Sequence, residues 1–337
     1  MKTLPDRETH IMMKRVQSAA AAMFAVAIAT SGAAWAQAQA TAAPGAAPAK
    51  SNRPQIEQRT FASADAASAA LVDAMRSDDV RKVYAVLGPG SGKLIYTGDK
   101  AADRRLRETF VAAWEKSHKF DGANPARLTL LLGENDYPFP FPLVQDAAAW
   151  KFDARAGAEE IVNRRIGRNE LAAIQVCLAY VDAQREFARK DRDGDGLLEY
   201  AQKLVSSPGK QDGLYWPVKE GEPPSPFGPL AVEAAGKGYG KGADGEPAAY
   251  HGYHYRILTA QGPDARGGAY SYMAKGKMIG GFALVAYPAR WGVSGVMSFI
   301  CNQDGVVFQK NLGRDSVTVA KGMTRYNPDT SWTKVEP

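Results

Sequence analysis

The chain has 337 residues, of which 45% are hydrophobic, and this length and composition allow two globular domains with full cores. Its formal net charge of +6 is mild, and the charged residues are spread along the chain. No block rich in Lys and Arg alternates with aromatic residues, so the composition argues against a nucleic-acid-binding protein.

The N-terminus has the parts of a secretory signal peptide over residues 1–36. A basic pair at residues 14–15 precedes an apolar run at 19–33, and Ala-Trp-Ala at 34–36 forms an A-x-A cleavage site. We therefore expect cleavage near Ala36 and a periplasmic or secreted mature protein. No later run of about 18 apolar residues follows, so we expect no transmembrane span in the mature chain.

Residues 37–54 are rich in Ala, Pro and Gln, with few bulky apolar side chains, which is typical of a flexible linker. An N-terminal α+β domain is predicted over residues 55–160. Its first helical segment covers residues 61–87, with Ser63 as the N-cap and a potential break at residues 77–79.

The rest of this domain is predicted as one more helix followed by strands. The helix covers residues 103–119, and a strand covers residues 128–132. Proline alternates with aromatic residues over 137–142, and since proline cannot donate to a strand ladder, this stretch is predicted as an edge or extended segment. A short alternating strand at residues 150–153 closes the block.

A C-terminal domain is predicted over residues 161–337, and it begins with a long helix. Gly167 precedes the periodic run and Asn169 is an acceptable N-cap, so the helix is predicted to begin at Asn169. Apolar residues recur at steps of three and four and predict the face that packs on a sheet. This predicted face consists of Leu171, Ile174, Leu178 and Val181, widened by Cys177 and Tyr180.

The loop after this helix has the spacing of an EF-hand calcium loop. Such loops place carboxylates at alternate positions, followed by a glycine that allows a sharp turn. Here the carboxylates are Asp191, Asp193 and Asp195, with Glu199 four residues further on. Gln202 stands where the bidentate Glu should be, so the ligand set is incomplete. Two interpretations stay open, a calcium site and a solvated turn in which Asp side chains bind their own backbone.

Two cysteines, Cys177 and Cys301, remain in the predicted mature chain. An exported protein meets an oxidising compartment, where an even number of cysteines favours a disulfide. The alternative is a pair of buried thiols that act as small hydrophobic side chains.

The last third of the chain is predicted as an antiparallel meander on which the long helix packs. The Asp-Gly within residues 302–305 is a strong hairpin signal between the last two strands. The predicted strands cover residues 253–259, 282–287, 296–301 and 306–309.

Several segments together resemble the bacterial exported family known as domain of unknown function 2950, a family without an established activity. The segments are W-K-F-D at 150–153, R-R-I-G-R-N-E-L at 164–171, C-L-A-Y-V-D-A-Q-R-E-F-A at 177–188, G-D-G-L-L-E-Y-A-Q at 194–202 and C-N-Q-D-G-V-V at 301–307. The resemblance covers the whole mature chain and implies export.

Each predicted domain also resembles a known fold type. Helices followed by strands that end in W-x-F-D resemble the cone-shaped nuclear-transport-factor-2-like fold, which implies a small-molecule pocket. The C-terminal half is similar to the globular heads of type IV pilin-like proteins and pseudopilins. That similarity is carried by N-E-x-x-A-I at 169–174, G-Y-x-Y-R at 252–256 and S-F-x-x-x-Q-D-G-V at 298–306. It implies a shared head fold without filament assembly, since a cleavable leader and a whole domain come first.

These observations predict a non-catalytic binding or structural protein of the periplasm or envelope. Its partner would be an envelope protein or a small molecule, with calcium as the cofactor that the acidic loop suggests. The alternative is a small-ligand binder or an enzyme that uses a pocket in the N-terminal domain. An enzyme would need converging titratable groups there, for example among Asp99, Asp103, Glu134 and Asp136.

Overall fold

The computed structural model describes residues 56–77, 79–91, 100–228 and 249–336, and for residues 100–102 it describes the backbone alone. The predicted signal peptide, the predicted linker and Asp99 lie outside these described residues. The chain forms two compact units that divide between Ile161 and Val162. Helices and antiparallel sheets build both units, which confirms the predicted α+β class.

The described part of the first unit begins with the helices α1 (Ala64–Arg76), α2 (Val80–Leu87) and α3 (Lys100–Lys116). The Ser63 hydroxyl caps α1 by accepting a hydrogen bond from the Ala66 N–H at 3.0 Å. The Asp79 carboxylate caps α2 in the same way, accepting from the Arg81 N–H at 2.9 Å. The second cap explains why the predicted segment 61–87 is broken into two helices.

The strands of the first unit are β1 (His118–Asn124), β2 (Arg127–Leu132), β3 (Tyr137–Pro138), β4 (Leu143–Asp146) and β5 (Ala149–Phe152). They form an antiparallel sheet with the strand order β1-β2-β4-β5, in which the short β3 also pairs with β2. The proline of β3 lies on a two-residue edge strand, as its missing N–H requires.

Aromatic rings fill the core of the first unit. The Phe139 ring is 5.2 Å from that of Phe110, 5.6 Å from that of Phe141 and 6.0 Å from that of Phe152. All four side chains are buried, together with the strand residue Leu130. These contacts pack the strands against α3.

The long helix α4 (Ala154–Phe187) begins in the first unit and continues into the second. The predicted start at Asn169 is wrong, because Asp153 already caps the helix by accepting a hydrogen bond from the Ala156 N–H at 3.0 Å. Gly167 lies inside the helix, where glycine costs only about 1 kcal/mol relative to alanine. Such a cost is easily exceeded by the packing of a 34-residue helix.

The buried face of α4 differs in part from the predicted one. Val181, Cys177 and Tyr180 are buried as predicted, but Leu171 is 66% exposed and Leu178 is 37% exposed. The residues that pack most fully on the second unit's core are Ala173, Cys177, Tyr180, Val181, Ala183, Gln184 and Phe187. Apolar residues lie on two neighbouring stripes of this helix, and periodicity alone did not identify the stripe that contains the polar Gln184.

The main sheet of the second unit consists of β6 (Tyr253–Leu258), β11 (Ala283–Pro288), β12 (Ser298–Asn302), β13 (Val307–Lys310) and β14 (Thr333–Lys334). It is antiparallel, with the strand order β14-β13-β12-β11-β6. The predicted hairpin is confirmed: Gly305 has φ +76° and donates its N–H to the Asn302 carbonyl at 2.9 Å.

Short two-stranded ribbons and a helix belong to the described part of this unit as well. They are the pair β7 (Ala260–Gln261) and β8 (Tyr270–Ser271), the pair β9 (Met273–Ala274) and β10 (Lys277–Met278), and α5 (Ser316–Gly322). Within the described part of the chain, no helix combines the length and the apolar character that crossing a bilayer demands.

Candidate cation-binding loop

The acidic loop, residues 191–199, is closed at its base by one buried side chain. Gln184 is fully buried on α4; its Oε1 accepts the Ala201 N–H and its Nε2 donates to the Ala201 carbonyl, both at 2.8 Å. The same Nε2 donates to the Tyr180 hydroxyl at 3.0 Å, and that hydroxyl donates to the Ala283 carbonyl at 3.1 Å. Since both amide hydrogens of Gln184 are used, the segment is held without an unsatisfied buried donor.

Inside the loop, carboxylates bind backbone N–H groups. Asp191 accepts from Gly194 through Oδ1 and from Gly196 through Oδ2, each at 2.8 Å. These two bonds hold the pKa of Asp191 below its ordinary value. Both glycines have positive φ, +77° and +84°, a conformation that side-chain-bearing residues rarely adopt. The loop therefore has the turn chemistry that both sequence interpretations require.

The three aspartates of the loop converge. One carboxylate oxygen each from Asp191, Asp193 and Asp195 lies within 4.8 Å of the others, and all three residues are exposed. Like charges at this separation repel, so the arrangement favours a bound cation.

A lysine ammonium group already lies against these carboxylates. The Lys277 Nζ donates to Asp193 Oδ2, to Asp195 Oδ2 at 2.7 Å and to Glu199 Oε1 at 3.2 Å. Asp193 first, and then Asp195, raise the pKa of Lys277, and Lys277 is the main cause of the lowered pKa of Asp195. Three of the four predicted metal ligands thus share one internal cation.

The exit of the loop brings Lys277 into position. The Tyr200 N–H donates to the Met278 carbonyl at 2.8 Å, so the chain after the loop runs beside β10. Gln202, which occupies the twelfth EF-hand position, donates its Nε2 to the Gly276 carbonyl at 2.9 Å. The described chain is not helical after the loop, which differs from an EF-hand. Sequence reasoning missed Lys277 because it lies 78 residues beyond Glu199.

Negative charge is left in excess at this cluster. Asp191, Asp193, Asp195 and Glu199 carry four carboxylates, whereas Lys277 supplies a single ammonium. Among the described residues, the buried Glu199 Oε2 has no hydrogen-bond partner. Calcium takes six to eight oxygen ligands, with carboxylate oxygens among those that it prefers, so this surplus of carboxylates is the kind of donor set that suits it.

The predicted disulfide residues lie in the same core, and both thiols are free in the structure. Cys177 on α4 and Cys301 on β12 are fully buried, and the Cys301 Sγ is 3.5 Å from the Cys177 carbonyl oxygen. Burial raises the pKa of the Cys301 thiol. A bond between them stays a prediction.

A second loop, residues 290–297, is bound by side chains of the R-R-I-G-R-N-E-L segment of α4. Glu170 Oε1 accepts the N–H groups of Val296 at 2.8 Å and Met297 at 2.9 Å. Asn169 donates to the Ser294 carbonyl at 2.8 Å, and Arg165 Nε donates to the Val293 carbonyl at 3.1 Å. These three side chains therefore position the loop of residues 290–297.

The acidic residues proposed for an N-terminal pocket lie in different environments. Glu134 pairs with Lys116 at 3.0 Å and Asp136 pairs with Lys119 at 2.7 Å, both at the surface. Asp103 is buried on α3. An enzyme or small-ligand site in this unit stays a prediction.

The comparisons with known proteins point to one family. The family model described as "Protein of unknown function (DUF2950)" matches residues 58–335, which include the acidic loop, Lys277 and both cysteines. No curated protein and no solved structure matches the chain.

Proposed function

For this chain, which belongs to the family described as "Protein of unknown function (DUF2950)", we propose a non-catalytic binding function with the acidic loop as a calcium site. The ligands would be Asp191, Asp193, Asp195 and Glu199. One observation carries the proposal: the loop gathers an excess of carboxylates around a single ammonium, on a backbone fixed by its own hydrogen bonds.

Calcium fits this ligand set better than magnesium. Magnesium demands octahedral geometry and prefers few carboxylates together with water or phosphate. Calcium accepts a larger and less regular set of oxygens, including several carboxylates. Its entry would displace the Lys277 ammonium from Asp193 and Asp195, so binding exchanges a monovalent internal cation for a divalent external one.

Thermal unfolding tests the calcium proposal. The full chain, produced in a bacterial host that can process a leader, is unfolded in excess EDTA and then in millimolar calcium. A ligand that binds only the native state stabilises it by about 2.7 kcal/mol at a hundred times its Kd. We expect a higher midpoint in calcium, and we expect Asp193→Ala to abolish the rise.

Asp182→Ala is the matched control, since Asp182 is an exposed aspartate on α4 outside the loop. It should keep the full calcium response. An equal response in Asp193→Ala, or no response in the wild type, would contradict the proposal and return the loop to an ordinary turn.

We also propose that the protein acts outside the cytoplasm, in the periplasm or envelope, where its partner is an envelope protein or a small molecule. The signal-like residues 1–36 and the linker-like residues 37–54 support this proposal. Cell fractionation followed by mass measurement of the exported form tests it. A mature chain that begins near Gln37 in the periplasm is expected, and an uncleaved cytoplasmic chain would contradict it.

In such a compartment, Cys177 and Cys301 are proposed to pair, with loss of two protons and two electrons to a disulfide oxidant. Their common burial and the 3.5 Å contact of Cys301 Sγ with the Cys177 carbonyl support the pairing. Alkylation of the unfolded, non-reduced protein should leave both thiols unlabelled. Two labelled cysteines in periplasmic protein would rule the bond out.

The finer fold assignments are proposals as well. Among the described residues, helices followed by an antiparallel sheet support a nuclear-transport-factor-2-like first unit. A long helix that leads to an antiparallel sheet supports a pilin-head-like second unit. An experimental structure compared with both fold types tests these assignments.

A further inference from the structure

We propose that a cleft beside the acidic loop binds a small carboxylate that also carries hydroxyl groups, of the sugar-acid type. The cleft lies wholly in the second unit, between the end of α4, the exit of the loop and the turn at residues 203–212. Its volume is about 750 Å³, within the range of about 300–1,000 Å³ that is common for small-molecule sites. This proposal goes beyond calcium binding: its positively charged groups, Arg192 and Lys210, lie outside the proposed calcium ligands, and Glu199 is the one residue assigned a role in both.

The outer wall of the cleft is held together by its own charges. Lys203 Nζ donates to Asp212 Oδ2 at 2.7 Å and to the Ser207 hydroxyl at 2.8 Å. Asp212 Oδ1 accepts the Ser207 N–H at 2.7 Å. Lys203 and Asp212 neutralise each other, so this wall shapes the cleft but adds no unpaired charge to it.

The inner wall presents an arginine in a fixed orientation. The guanidinium carbon of Arg192 lies 4.6 Å from the ring centre of Phe187 and 4.9 Å from that of Trp216, distances typical of cation–π contacts. Its one hydrogen bond to the described residues runs from Nη1 to Gln211 at 3.4 Å. Its Nε is buried and has no hydrogen-bond partner among them. A guanidinium that contacts two aromatic rings and has unused donors is suited to a planar carboxylate.

The basic side chains of the cleft have fewer charged partners than the acidic ones. Asp193 and Glu199 line it, and both contact Lys277, an ammonium that they share with Asp195. Lys210 also lines the cleft, and its ammonium forms no ion pair with the described residues. Arg192 and Lys210 therefore remain to attract an anion. The excess carboxylates of the nearby loop disfavour a doubly charged phosphate relative to a singly charged carboxylate.

A second feature specifies hydroxyl groups on the ligand. Glu199 Oε2 is buried without a hydrogen-bond partner in the described structure, and Glu199 lines the same cleft. Buried acceptors are normally satisfied, so a ligand that approaches this wall should bring a donor. A neutral hydroxyl supplies one without adding charge. Carboxylate recognition at Arg192 and Lys210, with a hydroxyl toward Glu199, defines the proposed class.

Calorimetric titration of the full chain with sodium glucuronate tests the cleft. Excess EDTA and constant ionic strength keep the acidic loop free of metal, so the result does not depend on the calcium proposal. We expect glucuronate to bind, glucose to bind at least about tenfold more weakly, and Arg192→Gln and Lys210→Gln each to raise the Kd by about tenfold or more.

Lys219→Gln removes an exposed lysine that does not line the cleft and should leave the Kd unchanged. Lys210 is exposed, so Lys210→Gln remains informative even if Arg192→Gln fails to fold. Absence of glucuronate binding, equal binding of glucose, or an unchanged Kd in Lys210→Gln would overturn the proposal.

Discussion

The loop 290–297 is bound by a glutamate of α4, and the acidic loop contains another glutamate. The two glutamates differ in whether a buried carboxylate oxygen is left without a hydrogen-bond partner. Glu170 accepts two backbone N–H groups from the loop 290–297 through one oxygen. Glu199 shares Lys277 with two aspartates, and its other oxygen is buried without a partner in the described structure. The first arrangement meets its own hydrogen-bonding needs and is structural. The second leaves a surplus that an external ligand can satisfy.

The largest expected effect is on the structural loop. Glu170→Ala leaves the part-buried N–H groups of Val296 and Met297 without their acceptor. A fully buried donor without a partner costs about 1–3 kcal/mol, and partial burial lowers that cost for each of these two donors. We therefore expect the free energy of unfolding to fall by about 1–3 kcal/mol, measured by urea unfolding that is monitored by tryptophan fluorescence. Glu170→Gln keeps an acceptor oxygen and should lose less than half as much. Equal losses of stability in the two variants would contradict the claim that the acceptor oxygen of residue 170 stabilises the loop 290–297.

The next effect concerns calcium affinity. Lys277→Met removes the ammonium that competes for Asp193 and Asp195, so the calcium Kd should fall by about tenfold. Lys275→Met is the control, because Lys275 is an exposed lysine in the same β9–β10 turn. Titration calorimetry measures both. If Lys277→Met binds calcium no better than the wild type, the ammonium and the metal do not compete.

A smaller effect is expected in the pH dependence of stability. The pKa of Lys277 is raised above 10.5 in the folded protein. Its contribution to stability is therefore complete below pH 10.5 and is lost as the pH rises through the pKa of the folded state. The pKa of Asp195 is lowered below 3.8, so its contribution is complete above that pH and is lost as the pH falls through the folded value. The stability difference between the wild type and Lys277→Met should therefore be constant in between and shrink at both extremes.

Asp191 provides an internal control for the loss of stability at low pH. Backbone hydrogen bonds from Gly196 and Gly194 are the main cause of its lowered pKa, and Lys277→Met leaves these in place. Part of the acid-induced loss should therefore persist in the variant. Urea unfolding at a series of pH values measures this, and a difference that keeps growing toward either extreme would contradict the assignment.

Sequence reasoning succeeded where the signal is local. The hairpin at residues 302–305 and the break before α2 follow from turn and cap residues within a few positions of each other. It failed for the exposed Leu171 and Leu178, because α4 carries two apolar stripes and only tertiary packing selects one.

Local sequence patterns also could not predict the long-range contacts of the two loops. The acidic loop itself is visible in the sequence as alternating aspartates and glycines. Its internal cation, Lys277, lies 84 residues from Asp193, and the acceptor role of Glu170 joins residues 126 positions apart. Such pairings are created by the register of strands and helices, and nothing in the residues around them indicates the partner.

The most direct test of the central claim is a calorimetric titration of calcium into the metal-free full chain, repeated with Asp193→Ala. The claim that the surplus carboxylates of the acidic loop form a calcium site predicts one ion bound per wild-type chain and loss of that binding in the variant. No binding heat in the wild type, or the same binding in Asp193→Ala, would contradict it.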